Sequence, residues 1–414
     1  MKLHVYVNDA DHNVGQVFTD TRRGRLTSTF SYSNAYLDDV DAYAIDPGLP
    51  LGVGSWPSAT PLPGALRDAA PDRWGRNLIK RRAISDARLA GRTPVTLTEV
   101  HYLLGVSDIS RQGALRFKLT PQGNFEHPGD DVPKLVDLPA LLTASYSVTS
   151  DSDNSDAAVR SLLAMGSASL GGARPKASVR DGDRLFVAKF AHPHDDWSVI
   201  AWEKTALDIA ADAGCEVPRL RLIDVKGSPV LLTERFDRDG DKRIGYISAM
   251  TLCEANDGEQ RDYLDIAERL ATISADPQRD LQELWRRIGL GLTINNTDDH
   301  LRNHGLLRNG NGWSISPVFD INPNPDINMS HATTIGGEQH RQSGIDAWLQ
   351  TADTFGLTMS QSVAIAGDIC DAVSGWASRA RQNGVGREEI SRFQAVFDQG
   401  ISALKIATKK IRPH

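Results

Sequence analysis

From Ile294 to Asn322 the chain reads INNTDDHLRNHGLLRNGNGWSISPVFDIN. Its first eleven residues hold three Asn, two Asp and two His, and another acid, Asp320, follows the apolar pair Val318 and Phe319. Asp298 and Asn303 stand five residues apart in DDHLRN. One loop can therefore aim a carboxylate at a hydroxyl and an amide oxygen at a metal ion. Asp320, beyond a hairpin-like stretch, can add a second hard oxygen ligand for magnesium. Upstream, GGAR supplies a flexible, donor-rich loop, and Lys189 stands near the end of the strand-like RLFVAKF. Glu203, on the next helical stretch, can pair with Lys189 and hold it in place. A carboxylate, magnesium ligands, a cation and backbone donors are the parts that phosphoryl transfer from ATP requires.

Each part alone is weak, because glycine pairs are common and most strand lysines are solvated. The ordered set is stronger, above all the hairpin between Asn303 and Asp320. The same residue types also cap helices and close turns. His300 is equally open to a structural hydrogen-bonding role, and Glu203 to being a solvated helix residue. Asp299 adjoins Asp298, but only Asp298 keeps the five-residue spacing to Asn303. DRDGDKRIGYIS resembles a calcium loop until its sixth and twelfth positions, which are Lys242 and Ser248 in place of Gly and Glu, so it reads as a charged turn. HPHDDW has two His without further spaced ligands and reads as surface loop.

These groups need elements to hold them. KLHVYVND alternates like a strand, and GLPLGVGSWPSATPLPG is loop. DRWGRNLIKRRAISDARLAG and LTEVHYLLGVS predict helices. RFKLTPQGNFEH predicts a strand, a turn and a strand. TASYSVTSDSDNSD reads as a polar linker, with Ser155 capping a helix over DAAVRSLLAM. KASVR and RLFVAKF predict strands around an Asp181–Gly182 turn, then a helix that Gly214 ends. PRLRLIDVKGSPVLLTERFDR gives two more strands. DLQELWRRIGLGLTINN places Leu281, Leu284, Trp285, Ile288 and Leu292 at helical spacing, and HGLLRNGNGWSIS forms a hairpin. The rest, to the C-terminus, reads as helices with short loops. Trp285, Trp313 and Trp348 read as packing residues.

The bulk numbers bound the possibilities. A chain of 414 residues predicts two or three domains, and 40% hydrophobic with 24% charged residues is an ordinary globular composition. A net charge of −7 does not suit strong nucleic-acid binding by this chain alone. Three scattered cysteines, Cys215, Cys253 and Cys370, argue against a disulfide scaffold. The absence of a signal-peptide core and of an apolar run of about 20 residues predicts a cytoplasmic protein with no membrane partner.

With these motifs in view, the chain resembles the HipA family of serine/threonine kinases, toxins of bacterial toxin–antitoxin pairs. SLGGARPKASV, FVAKF, LLTERFDR, NNTDDHLRNHGLL and SPVFDI carry the resemblance in the family's order, and LPGALRDAAPDRWGRNLI resembles its amino-terminal module. The resemblance implies an α+β, kinase-like two-lobe fold. A β-rich module over 1–110 and an α/β nucleotide lobe over 111–239 would precede an all-helical catalytic lobe over 240–414. It implies Asp298 as catalytic base in D-x-H-x-x-N, with Asn303 and Asp320 on magnesium. Gly171, Gly172, Ala173, Arg174, Pro175 and Lys176 would form the phosphate loop, and Lys189 would contact phosphates. Glu234, Arg235 and Phe236 would meet adenine through backbone groups, with His300 close to the nucleotide. Ser169 matches a serine that family members phosphorylate on themselves. The implied partners are a HipB-like helix-turn-helix antitoxin, DNA only through it, and a protein substrate such as an aminoacyl-tRNA synthetase. The segment after ERFDR departs from the family pattern, which leaves the substrate open. Two alternatives stand beside this reading: a kinase-fold binding module in a repressor complex, and a small-molecule kinase.

Overall fold

The computed structural model describes residues 1–9, 12–128, 132–150, 155–165 and 174–411. The chain divides into two compact units, Met1–His194 with Ile223–Ile247, and Asp195–Leu222 with Ser248–His414.

The first unit contains two sheets. Strands β1 (Lys2–Val7), β2 (Asn13–Arg22), β3 (Arg25–Tyr32), β4 (Trp56–Pro57) and β5 (Leu115–Lys118) form one, in the order β4-β3-β2-β1-β5. Arg23 and Gly24, both left-handed, close the β2–β3 hairpin with the two-residue turn that suits strand twist. Leu3, Val5, Val17, Phe30 and Phe117 fill its core. The second sheet has the order β6-β7-β9-β8, built from β6 (Lys176–Asp181), β7 (Arg184–Phe190), β8 (Leu220–Val225, in this unit from Ile223) and β9 (Ser228–Glu234). Gly182 has φ 59°, and Lys226 and Gly227 have 53° and 81°, so both expected turns are tight hairpins. Short α1 (Asn34–Leu37) and α2 (Gly64–Asp68) precede α3 (Arg73–Leu89), α4 (Glu99–Leu104), α5 (Leu138–Thr149) and α6 (Ser155–Ala164). Trp74 and Leu78 of α3, Leu141 of α5 and Leu162 of α6 pack with Val179 and Ala188 of the sheet in one core.

Two expectations fail here. Residues 143–149, read as linker, are the second half of α5. Leu138, Leu141, Leu142, Ser145 and Val148 make its buried stripe, and its hydroxyls bond back along the helix, as Thr143 Oγ1 does to Pro139 O at 2.8 Å and Ser147 Oγ to Thr143 O at 3.1 Å. The stretch after β5 forms no second strand. Glu126 N donates to Phe117 O at 2.9 Å, and the Phe125 ring packs edge-on to Tyr6 and beneath the Arg116 guanidinium. Anchoring one aromatic ring takes the place of a ladder.

The exit of β9 is tied into the body of this unit by buried charge. Arg235 donates to Asp237 through Nε (2.8 Å) and Nη2 (2.5 Å), and through Nη1 to Ser110 O at 2.6 Å. Asp237 also accepts from Gly113 N at 2.7 Å and Arg238 Nη1 at 2.9 Å. The charged turn beyond is a two-stranded ladder of β10 (Arg238–Asp239) and β11 (Lys242–Arg243), with Gly240 at φ 56°. β12 (Tyr246–Ser248) follows at the unit boundary.

The second unit is mostly helical and carries one hairpin, β13 (Gly305–Asn309) with β14 (Gly312–Ile315). Its helices are α7 (Val199–Asp212), α8 (Ala249–Leu252), α9 (Tyr263–Ile273), α10 (Pro277–Ile294), α11 (Arg341–Gln350), α12 (Met359–Ser374), α13 (Trp376–Gln382) and α14 (Arg387–Ile411). α10 is the central helix, packed against α9, α11, α12 and α14. Asp276 caps it, accepting from Arg279 N at 3.2 Å, and Pro277 sits in its first turn. The rings of Trp285 and Trp348 stack with centroids 3.9 Å apart, and each indole N–H donates to the other residue's carbonyl, at 3.1 and 2.8 Å. Gly289 is required beside them, because a Cβ there would lie 2.2 Å from Trp348 Cζ2. Trp202 of α7 stacks on Phe393 of α14 at 4.0 Å and donates to Glu389 at 3.0 Å.

Candidate active site

α10 ends at Asn295, which caps it in the left-handed conformation at φ 61° and ψ 46°. A short polar side chain tolerates that region better than a branched one. The chain then turns through Asn296 to His300, makes one 3₁₀ turn over Leu301–Asn303, and enters β13. The reversal places Asp298 and Asn303 at two ends of one small loop. Asn303 Nδ2 donates to Asp298 O at 3.1 Å, and Asn303 N to His300 O at 2.8 Å. With its NH₂ group committed to the loop, the Asn303 amide presents its oxygen as the remaining polar atom.

A second segment, beyond the hairpin, is stitched to this loop by amides. Asn295 Nδ2 donates to the carbonyls of Asn324 (2.9 Å) and Asp326 (3.0 Å). Asn322 N donates to Asn296 Oδ1 at 3.1 Å, and Asn324 Nδ2 to Thr297 Oγ1 at 2.8 Å. A third segment joins them: Ala332 N donates to Thr297 O at 2.9 Å, and Thr333 Oγ1 to Asp299 O at 2.6 Å. These supports answer why so many amides crowd the end of an apolar helix. Sequence reasoning missed Asn295, Asn296, Asn324 and Thr333 as supports. The alternation of Asn and Pro in NPNPD was the one visible hint of a second shaped loop.

The two adjacent acids have opposite environments. Asp299 is buried, accepts from Tyr263 Oη at 2.5 Å, and lies 3.1 Å from His304 Nε2. Burial alone would raise its pKa, but His304 and the Tyr263 hydroxyl outweigh burial and hold it below its ordinary value. Asp298 keeps an exposed side chain. Its pKa is raised, first by partial desolvation, with the Asp320 and Asp299 carboxylates adding to the rise and His300 opposing it. Asp298 and Asp320 are thus close enough to repel one another. Asp320 has φ 58°, in the left-handed region that short polar side chains such as Asn and Asp tolerate. The Asp298 and Asp320 carboxylates and the Asn303 amide oxygen are hard oxygen donors, the type that a divalent cation such as magnesium takes.

In the first unit, Lys176 of β6 and Lys189 of β7 pair directly across the ladder and so share one face. Both are buried. Asp72, the N-cap of α3, lies 2.9 Å from Lys176 Nζ and offsets one of the two charges. Pro175 O accepts from Phe190 N at 3.0 Å, which fixes the end of the expected phosphate loop to β7. Arg174 is half-buried. Ser169, Gly171, Gly172 and Ala173 lie outside the described residues. Glu234 ends β9, opposite Phe186 of β7, and Phe236 is half-buried. Arg235 N donates to Leu185 O at 2.8 Å while its guanidinium sits in the buried cluster with Asp237, so its side chain is structural. Glu203, in the second unit, is buried on α7 and is no solvated surface residue.

A family model for the HipA-like C-terminal domain matches residues 168–377, just over half of the chain. The chain belongs to the HipA family. A solved structure supports the fold of this HipA-family protein over almost its whole length. The Shewanella oneidensis MR-1 toxin–antitoxin complex of HipA, HipB and operator DNA contains a chain that overlaps it with a TM-score of 0.58 at 14% identity, covering 98% of this chain and 97% of that one. The proinflammatory kinase CtkA of Helicobacter pylori overlaps at a TM-score of 0.45 and 15% identity, covering 57% of this chain and 94% of CtkA, too loosely to bear on function. The Y4mE protein of Sinorhizobium fredii, which carries kinase in its name, is 27% identical over 149 residues, covering 32% of this chain and 35% of that protein. The match therefore spans about a third of that relative's length.

Proposed function

We propose that this HipA-family protein is an ATP- and magnesium-dependent protein serine/threonine kinase. The observation that carries the reading is the amide-stitched loop that holds Asp298 exposed, with a raised pKa, beside Asp320. Asp298 accepts the proton of a protein hydroxyl as its oxygen bonds to the γ-phosphorus of ATP, and the bond to ADP breaks. Asn303 and Asp320 would hold magnesium, which supplies neutralisation of phosphate charge. Lys189, the phosphate loop over 171–176 and the backbone of Glu234–Phe236 hold the nucleotide, and Glu203 and His300 are assigned to the same task. The segments 1–110, 111–239 and 240–414 are proposed as amino-terminal module, nucleotide lobe and catalytic lobe.

The substrate class proposed is a translation component such as an aminoacyl-tRNA synthetase, in a cytoplasmic toxin–antitoxin system. A helix-turn-helix antitoxin is the proposed partner, supported by the neighbour solved with HipB and operator DNA. Among the described residues no helix is long and apolar enough to cross a membrane. The test is transfer of labelled phosphate from ATP to proteins of a cell extract. Asp298→Asn is expected to lower it by roughly 10²–10⁴-fold, the usual contribution of a positioned base. Undiminished transfer in that variant, or transfer only to small molecules, overturns the protein-kinase reading. Mass spectrometry after ATP incubation decides whether Ser169 is modified, and an unmodified Ser169 removes self-phosphorylation from the proposal.

A further inference from the structure

The first unit contains a groove of about 530 Å³ that the kinase reading does not use. That volume lies within the usual range for small-molecule sites, about 300–1,000 Å³. One wall is the polar face of α3. Arg73, Arg76, Asn77, Lys80 and Arg81 recur at the helical intervals of three and four residues and all line the groove. His192 faces them from another segment, and no carboxylate lines the groove among the described residues. In a chain with a net charge of −7, a groove whose described lining holds cations and no carboxylate is not a by-product of composition.

The cations divide by role. Arg76 is held by Glu99, at 2.8 and 2.5 Å, and lies over the Tyr102 ring at 4.7 Å. It shapes the wall. Arg81 donates to Val148 O at 3.2 Å, which fixes it to the end of α5. Arg73 and Lys80 are exposed and form no ion pair with any described residue. Seven residues of helix separate them, a rise of about 10 Å. One phosphate does not reach both without bending the side chains inward, whereas a row of phosphates does. Arg73 also sits in the first turn of α3, where the helix dipole favours an anion.

We propose that this groove is a second anion site, for a small ligand carrying a short chain of phosphates. Its source is either a condensed inorganic phosphate or a nucleoside oligophosphate, and the two share the chemistry that Arg73 and Lys80 recognise. The inference stands apart from the kinase assignment, because it uses none of the residues placed on ATP or magnesium.

The test is calorimetric titration of the full chain with inorganic triphosphate in magnesium-free buffer containing a chelator. The expected result is saturable binding, weakened about tenfold or more in Arg73→Glu/Lys80→Glu and falling steeply with salt. Binding is expected to survive in Lys189→Ala and in Asp320→Ala. Both α3 positions are exposed, so Arg73→Gln/Lys80→Gln supplies a milder pair with an unchanged thermal midpoint. Absence of saturable binding, binding indifferent to both pairs, or binding lost in Lys189→Ala overturns the proposal. A parallel titration with ATP distinguishes the sources: tighter binding that the α3 pair abolishes assigns a nucleotide, and equal binding assigns the phosphate chain alone.

Discussion

At the scale of single residues, Asp298 and Asp299 show how neighbouring carboxylates acquire opposite environments. Asp299 has a buried tyrosine and histidine as partners; Asp298 has a like charge. The folded state raises the Asp298 pKa, so folding favours its protonated form and disfavours the ionised form present at pH 7. Asp298→Asn is therefore expected to raise the thermal midpoint at pH 7 while activity falls. The gain should vanish as pH drops toward the ordinary carboxylate value of about 4. A midpoint lowered at pH 7 would show that the exposed carboxylate is stabilising. Asp299 behaves in the opposite sense. Its lowered pKa contributes stability above the unfolded value and loses it in acid. Asp299→Ala, which strands His304 and Tyr263, is expected to cost about 3–5 kcal/mol in denaturant unfolding at pH 7.

At the scale of elements, hydrophobic period and turn chemistry made most pieces legible, because each is a local property. β6 and β7 with their Gly182 turn, α10 with its apolar stripe, and the β13–β14 hairpin all follow from residues close in sequence. The α5 error has a physical cause: hydroxyls that usually compete with a helix instead bond back to its own carbonyls. Close approaches between elements were not legible. Gly289 of α10 faces Trp348 of α11, and Gly400 of α14 faces Thr293, where a Cβ would lie 1.9 Å from the carbonyl oxygen. Gly289→Ala and Gly400→Ala are each expected to destabilise the second unit by about 1–3 kcal/mol or more through overpacking. Stability of either variant within error of the parent would contradict the packing described. The cluster around Asp237 predicts a pH effect in the first unit. Arg235 and Arg238, with Gly113 N, hold its pKa well below the ordinary value against the cost of burial. Stability is then present above about pH 4 and lost as pH falls. Asp237→Asn should flatten that acid limb, and an unchanged limb would assign it to other acids.

At the scale of the whole molecule, the residues of the proposed site were easier to single out than the groups that support them. Asp298, Asn303 and Asp320 advertise themselves by type and spacing. The hydrogen bonds that shape their loop join residues such as Asn295 and Asn324, 29 positions apart, with no period to mark them. Composition argues at this scale too. With a net charge of −7, the isolated chain is expected to leave duplex DNA unshifted in a gel at physiological salt. Retention is expected only when a DNA-binding partner is present, and tight binding by the chain alone would overturn that expectation. The Trp285–Trp348 pair carries a last consequence. Two indoles fixed face to face at 3.9 Å couple their electronic transitions. Such a pair gives a signed couplet in circular dichroism that separated rings lack. The second unit therefore contains its own optical label, and its melting can be followed without adding a dye.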